Sequence, residues 1–80
     1  MRHVFVATKM GWAQERDCVW FDADYYTQED AEAQFVPVNM WVEKNGHDVP
    51  FTAYEYDGVT YHHFYYLGLY DEDNMPRPLF

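Results

Sequence analysis

The sequence contains one cysteine, Cys18, and no long apolar run among its 80 residues. A single thiol excludes an internal disulfide and is typical of a protein from a reducing compartment. No stretch approaches the ~20 apolar residues of a membrane-spanning helix. The first residues, 1–5, lack the apolar region of a signal peptide and resemble a strand instead. These features predict a cytoplasmic protein.

Basic residues are also scarce. Five lysines and arginines stand against fourteen acids, which gives a formal net charge of -9 at pH 7. This balance excludes nucleic-acid binding through phosphate neutralisation and argues against attachment to anionic membranes. Two interpretations remain open: the acidity only maintains solubility, or it serves to bind a basic partner.

Motifs for catalysis or metal binding are missing. His47, His62 and His63 are the residues that invite a metal-site interpretation, but neighbours on a strand point to opposite faces and no zinc-type spacing is present. Cys18 stands between Asp17 and Asp22, whose charges disfavour a reactive thiolate. The sequence therefore predicts a protein that is not an enzyme and has neither a cofactor nor a metal.

The strongest local signal is Asp57-Gly58, which lies between two runs rich in β-branched and aromatic residues. A type I′ turn needs positive φ at both central residues, which this dipeptide tolerates, and it predicts a hairpin over 49–70. A two-residue loop fixes the register, and the predicted pairs run from the turn outward: Tyr56–Val59, Glu55–Thr60, Tyr54–Tyr61, Ala53–His62, Thr52–His63 and Phe51–Phe64. Strand alternation then assigns one face to the core, with Tyr54, Tyr56, Val59, Tyr61, Tyr65 and Leu67.

The N-terminal half predicts a second, looser hairpin. Residues 3–10 have apolar side chains on both faces, which is typical of a central strand. Residues 11–17 form a polar connection, and residues 18–22 form a short strand that is expected to pair antiparallel with the first.

Residues 27–46 predict a helical segment. Thr27 is a good N-cap, and acids follow in the first turn, where the helix dipole favours them. Apolar residues recur with helical spacing at Ala31, Phe35, Val38 and Val42, and Asn45-Gly46 is a natural C-terminal stop. Pro37 interrupts the helix, which either kinks there or ends before it and restarts. A strand over residues 35–43 is the alternative, since Val36, Val38, Met40 and Val42 also alternate.

Together these elements predict an α+β fold. Its small antiparallel sheet of about four strands, in two hairpins, carries one helical segment, kinked or broken at Pro37, on one face. Residues 1–80 form a single domain of a size that allows one modest core, in which residues 71–80 are an extended tail that Leu79 and Phe80 tie to the core.

The acids are concentrated in two clusters. Residues 15–32 contain seven acids offset only by Arg16, and residues 71–73 contain three more. On an extended segment, the carboxylates of Asp22 and Asp24 would lie roughly 6.6 Å apart, and Glu29 and Glu32 share one side of a helix. Such regular charges resemble a phosphate backbone, which carries one charge per ~3.4 Å on each strand. The alternative is a solvated acidic surface. The candidate partner-binding residues are Asp22, Asp24, Tyr25, Tyr26, Glu29, Asp30, Glu32, Asp71, Glu72 and Asp73.

In size, acidity and simple build, with residues 15–32 and 71–73 carrying the likeness, the chain resembles the small phage-encoded anti-CRISPR proteins that inhibit type I surveillance complexes. Some of these proteins mimic DNA and occupy the basic site that reads the protospacer-adjacent motif. The resemblance implies a non-enzymatic inhibitor that blocks target DNA recognition inside a bacterial host cell. Its partner would be a basic nucleic-acid-binding complex. The alternative is a small structural or adaptor protein that self-associates through its aromatic-rich sheet.

Overall fold

Five antiparallel strands form one open sheet in the computed structural model, which describes residues 1–75. The strands lie in the order β2-β1-β5-β4-β3. A single turn of α-helix, α1, connects β2 to β3, and a short 3₁₀ helix follows β5. The elements are β1 Arg2–Lys9, β2 Arg16–Asp22, α1 Gln28–Glu32, β3 Val36–Lys44, β4 His47–Tyr56, β5 Val59–Tyr70 and the 3₁₀ helix Glu72–Asn74.

The predicted α+β class is wrong, because the protein is mostly β. The predicted hairpin between the first two strands is confirmed, with Phe5 opposite Val19 at its centre. The helix begins after Thr27 as expected, but it ends at Glu32 instead of continuing toward residue 45. Residues 36–44 are a fifth strand, which was the alternative interpretation of that segment.

Asn45-Gly46 is a hairpin turn and not the end of a long helix. Both residues have positive φ, 51° and 78°, and they join β3 to β4 as a two-residue hairpin turn. Asp57 and Gly58 have nearly the same angles, 51° and 76°, and join β4 to β5 as predicted. Asn-Gly thus acts here as a type I′ turn, not as a helix stop, because an alternating apolar strand lies on each side of it.

Pro37 and Pro50 fit into this hairpin without breaking its ladder. Lys44 opposes His47 next to the turn, and hydrogen-bonded and non-hydrogen-bonded pairs alternate from there along the strands. This alternation places Pro37, opposite Tyr54, and Pro50, opposite Trp41, at non-hydrogen-bonded positions. The N–H that each proline lacks would point away from the partner strand, so the β3–β4 pairing is unaffected.

The register between β4 and β5 follows the prediction only near the turn. Tyr56–Val59, Glu55–Thr60 and Tyr54–Tyr61 pair as expected. Within the part of the chain that the structure describes, the further pairs predicted from Ala53–His62 outward do not form. His62 is an extra residue in β5, because Thr8 of β1 faces His63 while Lys9 faces Tyr61. Such a bulge bends its strand and increases the local twist.

Beyond that point β4 pairs with β3 alone, and the two strands form an arm. We use this name for residues 39–52, which are half-buried or exposed throughout. Trp41, in the middle of β3, is 62% exposed. The Cα radius of gyration is 14.3 Å, compared with roughly 12 Å for a compact chain of this length. The arm therefore adds surface and contributes little to the core.

The core lies on the face of the sheet that α1 covers. Phe5, at its centre, contacts four other rings with centroid distances of 5.2 to 6.0 Å; these rings are Phe21, Phe35, Phe64 and Tyr66. Phe35 follows α1 and stacks on Phe64 at 4.2 Å. The bulge at His62 brings Tyr61, Phe64 and Tyr66 to this face together, whereas the predicted alternation separated them. Tyr65, which was assigned to the core, is exposed.

A partly buried polar contact closes the core at one end of the sheet. The Tyr61 hydroxyl donates a 2.8 Å hydrogen bond to Asp17, and Lys9 lies 3.7 Å from the same carboxylate oxygen. Burial first, and then the hydrogen bond and charge of Asp17, raise the pKa of Tyr61 well above its ordinary value. The phenol therefore stays protonated and tied to β2.

Among residues 1–75, no helix has the length and apolar character needed to cross a membrane. The predicted extended tail begins instead with the 3₁₀ helix at residues 72–74. Leu79 and Phe80, which were expected to tie down its end, lie outside the described residues.

The stacked position of Phe35 generates a stability prediction. Phe35 is 2% exposed, whereas its neighbour Val36 is 54% exposed. Phe35→Ala is expected to lower the free energy of unfolding by about 3–5 kcal/mol, because it leaves a cavity between α1 and the sheet. Val36→Ala, the control, should cost less than ~1 kcal/mol. Urea denaturation followed by circular dichroism measures both. Equal losses would contradict the place assigned to Phe35.

Candidate nucleic-acid-mimicking surface

The sheet register brings the two predicted acidic clusters to the same end of the molecule. Arg2, at the start of β1, faces Asp22 on one side and Tyr70 on the other. Neighbouring strands lie ~4.8 Å apart, so the chain segments at Asp22 and Tyr70 are separated by about 10 Å. The segment that follows Asp22 and the segment that follows Tyr70 therefore leave the sheet side by side. We call these two segments, residues 22–32 and 71–74, the acidic end.

The first cluster begins in a tight turn after β2. The Asp22 carboxylate accepts a 2.9 Å hydrogen bond from the backbone N–H of Asp24, and the backbone N–H of Tyr26 donates to the Asp22 carbonyl. This turn replaces the extended segment that was predicted, so the expected ~6.6 Å spacing of Asp22 and Asp24 does not apply. It does fix the Asp22 carboxylate in one position.

The cluster continues in α1, which begins with a complete capping box. Thr27 accepts a 3.1 Å hydrogen bond from the backbone of Asp30, and the Asp30 carboxylate accepts from the backbone N–H of Thr27. A shorter carboxylate than the usual Glu therefore completes the motif. Glu29 and Glu32 are three residues apart in this helix, as predicted, and so lie on one side of it.

Tyr25 and Tyr26 have different roles in the structure. Tyr25 is 82% exposed among the acids of the turn. Tyr26 is half-buried, and its ring contacts Phe21 at 5.2 Å. Of these two candidate partner-binding tyrosines, Tyr25 is free to contact a partner, whereas Tyr26 mainly attaches the turn to the core. A shallow depression of about 350 Å³ lies between this turn, Asp30 and Leu69 of β5.

His3 connects the acidic end to the core, a role that no pattern in the sequence indicates. Its Nε2 lies 2.9 Å from the carbonyl oxygen of Tyr26, and its Nδ1 lies 3.0 Å from the hydroxyl of Tyr66. A neutral imidazole with the proton on Nε2 satisfies both contacts, with the Tyr66 hydroxyl as donor. Burial, followed by the nearby charge of Glu32, raises the pKa of Tyr66. No sequence motif marks this contact, since 63 positions separate His3 from Tyr66.

The second cluster follows β5 directly. The Asp71 side chain accepts a 3.0 Å hydrogen bond from the backbone N–H of Glu72 and caps the 3₁₀ helix that contains Glu72 and Asp73. All three acids are exposed. Asp71 is thus held by its own backbone in the same way as Asp22 and Asp30.

The acidic end holds eight of the fourteen acids of the sequence, and the described basic residue next to them is Arg2. The Arg2 guanidinium lies over the Trp20 ring, 3.7 Å from its centroid. Glu15 and Asp17, also part of the predicted acidic run, lie at the opposite end of β2, where Lys9 is 3.7 Å from each. The run from residue 15 to 32 is therefore divided between the two ends of the sheet.

The other side chains that could bind a metal or act in catalysis are dispersed over residues 1–75. Within residues 1–75, no three side chains of His, Cys, Asp or Glu are grouped closely enough to hold a metal ion. The rings of His62 and His63 are 5.2 Å apart and exposed, closer than strand alternation predicts, because His62 is the bulged residue. Burial raises the pKa of Cys18, which lowers the thiolate fraction at neutral pH.

Comparisons of the chain with protein-family models, with curated proteins and with solved structures give no match. What the surface does is therefore inferred from its geometry and its charge.

The contact between His3 and Tyr66 generates a prediction about the acidic end. Tyr66→Phe removes the hydroxyl that His3 Nδ1 needs, and should lower the free energy of unfolding by about 1 kcal/mol. Tyr65→Phe, on the exposed neighbour, should change it by less than ~0.5 kcal/mol. Urea denaturation at neutral pH compares the two. A Tyr65 variant as destabilised as the Tyr66 variant would contradict the assigned contact.

Proposed function

We propose that this protein is a non-enzymatic inhibitor that binds a basic nucleic-acid site of a protein complex and excludes DNA from it. In its specific form, the proposal is an anti-CRISPR protein that acts in the cytoplasm of a bacterial host and blocks target DNA recognition by a type I surveillance complex. The observation that carries the proposal is the convergence of both acidic clusters at one end of the sheet.

A DNA mimic needs carboxylates in fixed positions, because flexible charges lose entropy on binding. Three acids of the acidic end have side chains that accept hydrogen bonds from nearby backbone N–H groups, namely Asp22, Asp30 and Asp71. Exposed acids adjoin each of them. The two chain segments that carry the clusters lie about 10 Å apart at the sheet, as estimated from the strand spacing, which allows both to face one basic groove.

The acidic end also has the composition of a binding surface. Tyrosine is enriched at the centres of protein interfaces because it buries a large apolar ring and keeps a polar tip. Tyr25 supplies such a side chain among the acids. The eight acids concentrated in this way would speed association with a basic partner and make it sensitive to salt.

A second candidate function, self-association through the aromatic sheet, is favoured by a different observation. The sheet face opposite α1 exposes Trp20 and Tyr65. Binding through these apolar side chains would persist at high salt, because burial of apolar surface is not screened. Salt dependence therefore distinguishes the two functions.

The test is inhibition of DNA binding, measured as the gel shift of a target duplex by type I surveillance complexes. The protein should prevent the shift, and its effect should weaken as salt is raised from ~0.1 M to ~0.5 M. Asp24→Lys/Glu72→Lys changes one exposed acid in each cluster and should reduce the apparent affinity at least ~tenfold, because like charges then face the basic site.

The matched control is Asp48→Lys/Glu55→Lys, which changes the formal net charge equally on exposed positions of β4. This control should inhibit as the unaltered protein does. Equal loss in both double variants would show that only total charge matters and would contradict a binding role for the acidic end. Failure of the unaltered protein to displace DNA would contradict the proposed inhibition itself.

A further inference from the structure

The arm carries almost none of the charge that concentrates at the acidic end. Its charged residues are Glu43, Lys44 and Asp48, which sum to -1 of the total of -9. It exposes apolar side chains instead: Trp41 at 62%, Val42 at 47% and Val49 at 39%. Two copies of this acidic protein would repel each other only weakly along the arm.

The outer edge of β3 offers unpaired backbone groups. β3 is the last strand of the sheet, so one side of it has no neighbouring strand among residues 1–75. Hydrogen-bonded and non-hydrogen-bonded pairs alternate along β3 and β4 from the turn. Asn39, Trp41 and Glu43 are in non-hydrogen-bonded pairs, so their N–H and C=O groups point to the outer edge. Pro37, the next outward position, has no N–H to offer and blunts one end of the edge.

We propose that two copies of the chain pair antiparallel through β3, about a two-fold axis at Trp41. In this register Trp41 faces Trp41 of the second copy, and Asn39 faces Glu43. Each of these pairs exchanges two hydrogen bonds. The contact is isologous, so it closes after two copies and joins the two sheets into one continuous sheet.

The side chains of β3 favour this register over its neighbours. An axis at Met40 would pair Pro37 with Glu43, and Pro37 has no N–H to donate. An axis at Val42 would pair Asn39 with Asn45, which lies in the turn. With the axis at Trp41, Glu43 lies opposite the neutral side-chain amide of Asn39 in the second copy. Met40 lies opposite Val42 of the second copy, on the other face of the sheet. No like charges oppose each other directly, and the edge is complementary to itself.

The oligomeric state tests the proposal, measured by sedimentation velocity as the protein concentration is raised. The unaltered chain should form dimers and no larger species. Trp41→Lys places two lysines face to face and should weaken dimerisation at least ~tenfold. Trp12→Lys is the matched control, since Trp12 is 99% exposed in the β1–β2 loop and the change of composition and charge is identical. A monomer at every concentration, or equal weakening by both variants, overturns the proposal.

Disulfide cross-linking tests the register independently of dimer strength. In a Cys18→Ser background, Trp41→Cys brings two thiols to opposed positions, ~5.5 Å apart between Cα atoms, which is within disulfide range. Asn39→Cys leaves its two thiols about 13 Å apart along the strands. Mild oxidation should therefore yield covalent dimers of the first variant and not of the second. The reverse result, or equal yields, contradicts the axis at Trp41.

This inference does not depend on the proposed inhibition. Asp24→Lys/Glu72→Lys should dimerise as the unaltered protein does, and Trp41→Lys should still displace DNA. Loss of dimerisation in the acidic-end variant would contradict a contact made by β3.

Discussion

The extra residue in β5 at His62 is the constraint on which the rest of the structure depends. A bulge shifts strand alternation by one position, and here it collects Tyr61, Phe64 and Tyr66 on the face that α1 covers. The same bend coincides with the end of β4–β5 pairing at Tyr54. One residue thus completes the core and marks the point beyond which the arm, among residues 1–75, has no neighbouring strand on either side.

The two parts of the molecule that result differ in chemistry. The aromatic core is built by β1, β2 and β5 together with Phe35, which follows α1. At the acidic end, backbone hydrogen bonds hold three carboxylates. The arm is nearly neutral, exposes several apolar side chains and, among residues 1–75, has an open outer edge along β3. A surface of fixed negative charge suits a basic groove, whereas an edge with free backbone groups suits another strand. The two surfaces can therefore act independently.

The sequence predicted the parts of the fold that local chemistry decides. The turn at Asp57-Gly58 and the first hairpin were predicted correctly, because the turn residues and the alternation of the flanking side chains indicated the same structure. Asn45-Gly46 was misinterpreted because helical spacing and strand alternation both fit the apolar residues before it, and the N-cap residue Thr27 favoured the helix. Pro37 was the discriminating residue, since it is costly inside a helix and harmless at an outward position of an edge strand. The bulge at His62 leaves no local signal, and neither does the contact of His3 with Tyr66. The candidate acids could be chosen from the sequence, but their division between two ends of the sheet follows from the strand register alone.

Amide hydrogen exchange of the protein, free and bound to a type I surveillance complex, tests the central claim most directly. We expect binding to slow exchange in residues 22–32 and 71–74, because these segments would be covered by the basic site. Exchange at Asn39, Trp41 and Glu43 should not slow further on binding. Protection confined to the arm, with the acidic end unchanged, would contradict the claim that the acidic end is the functional surface.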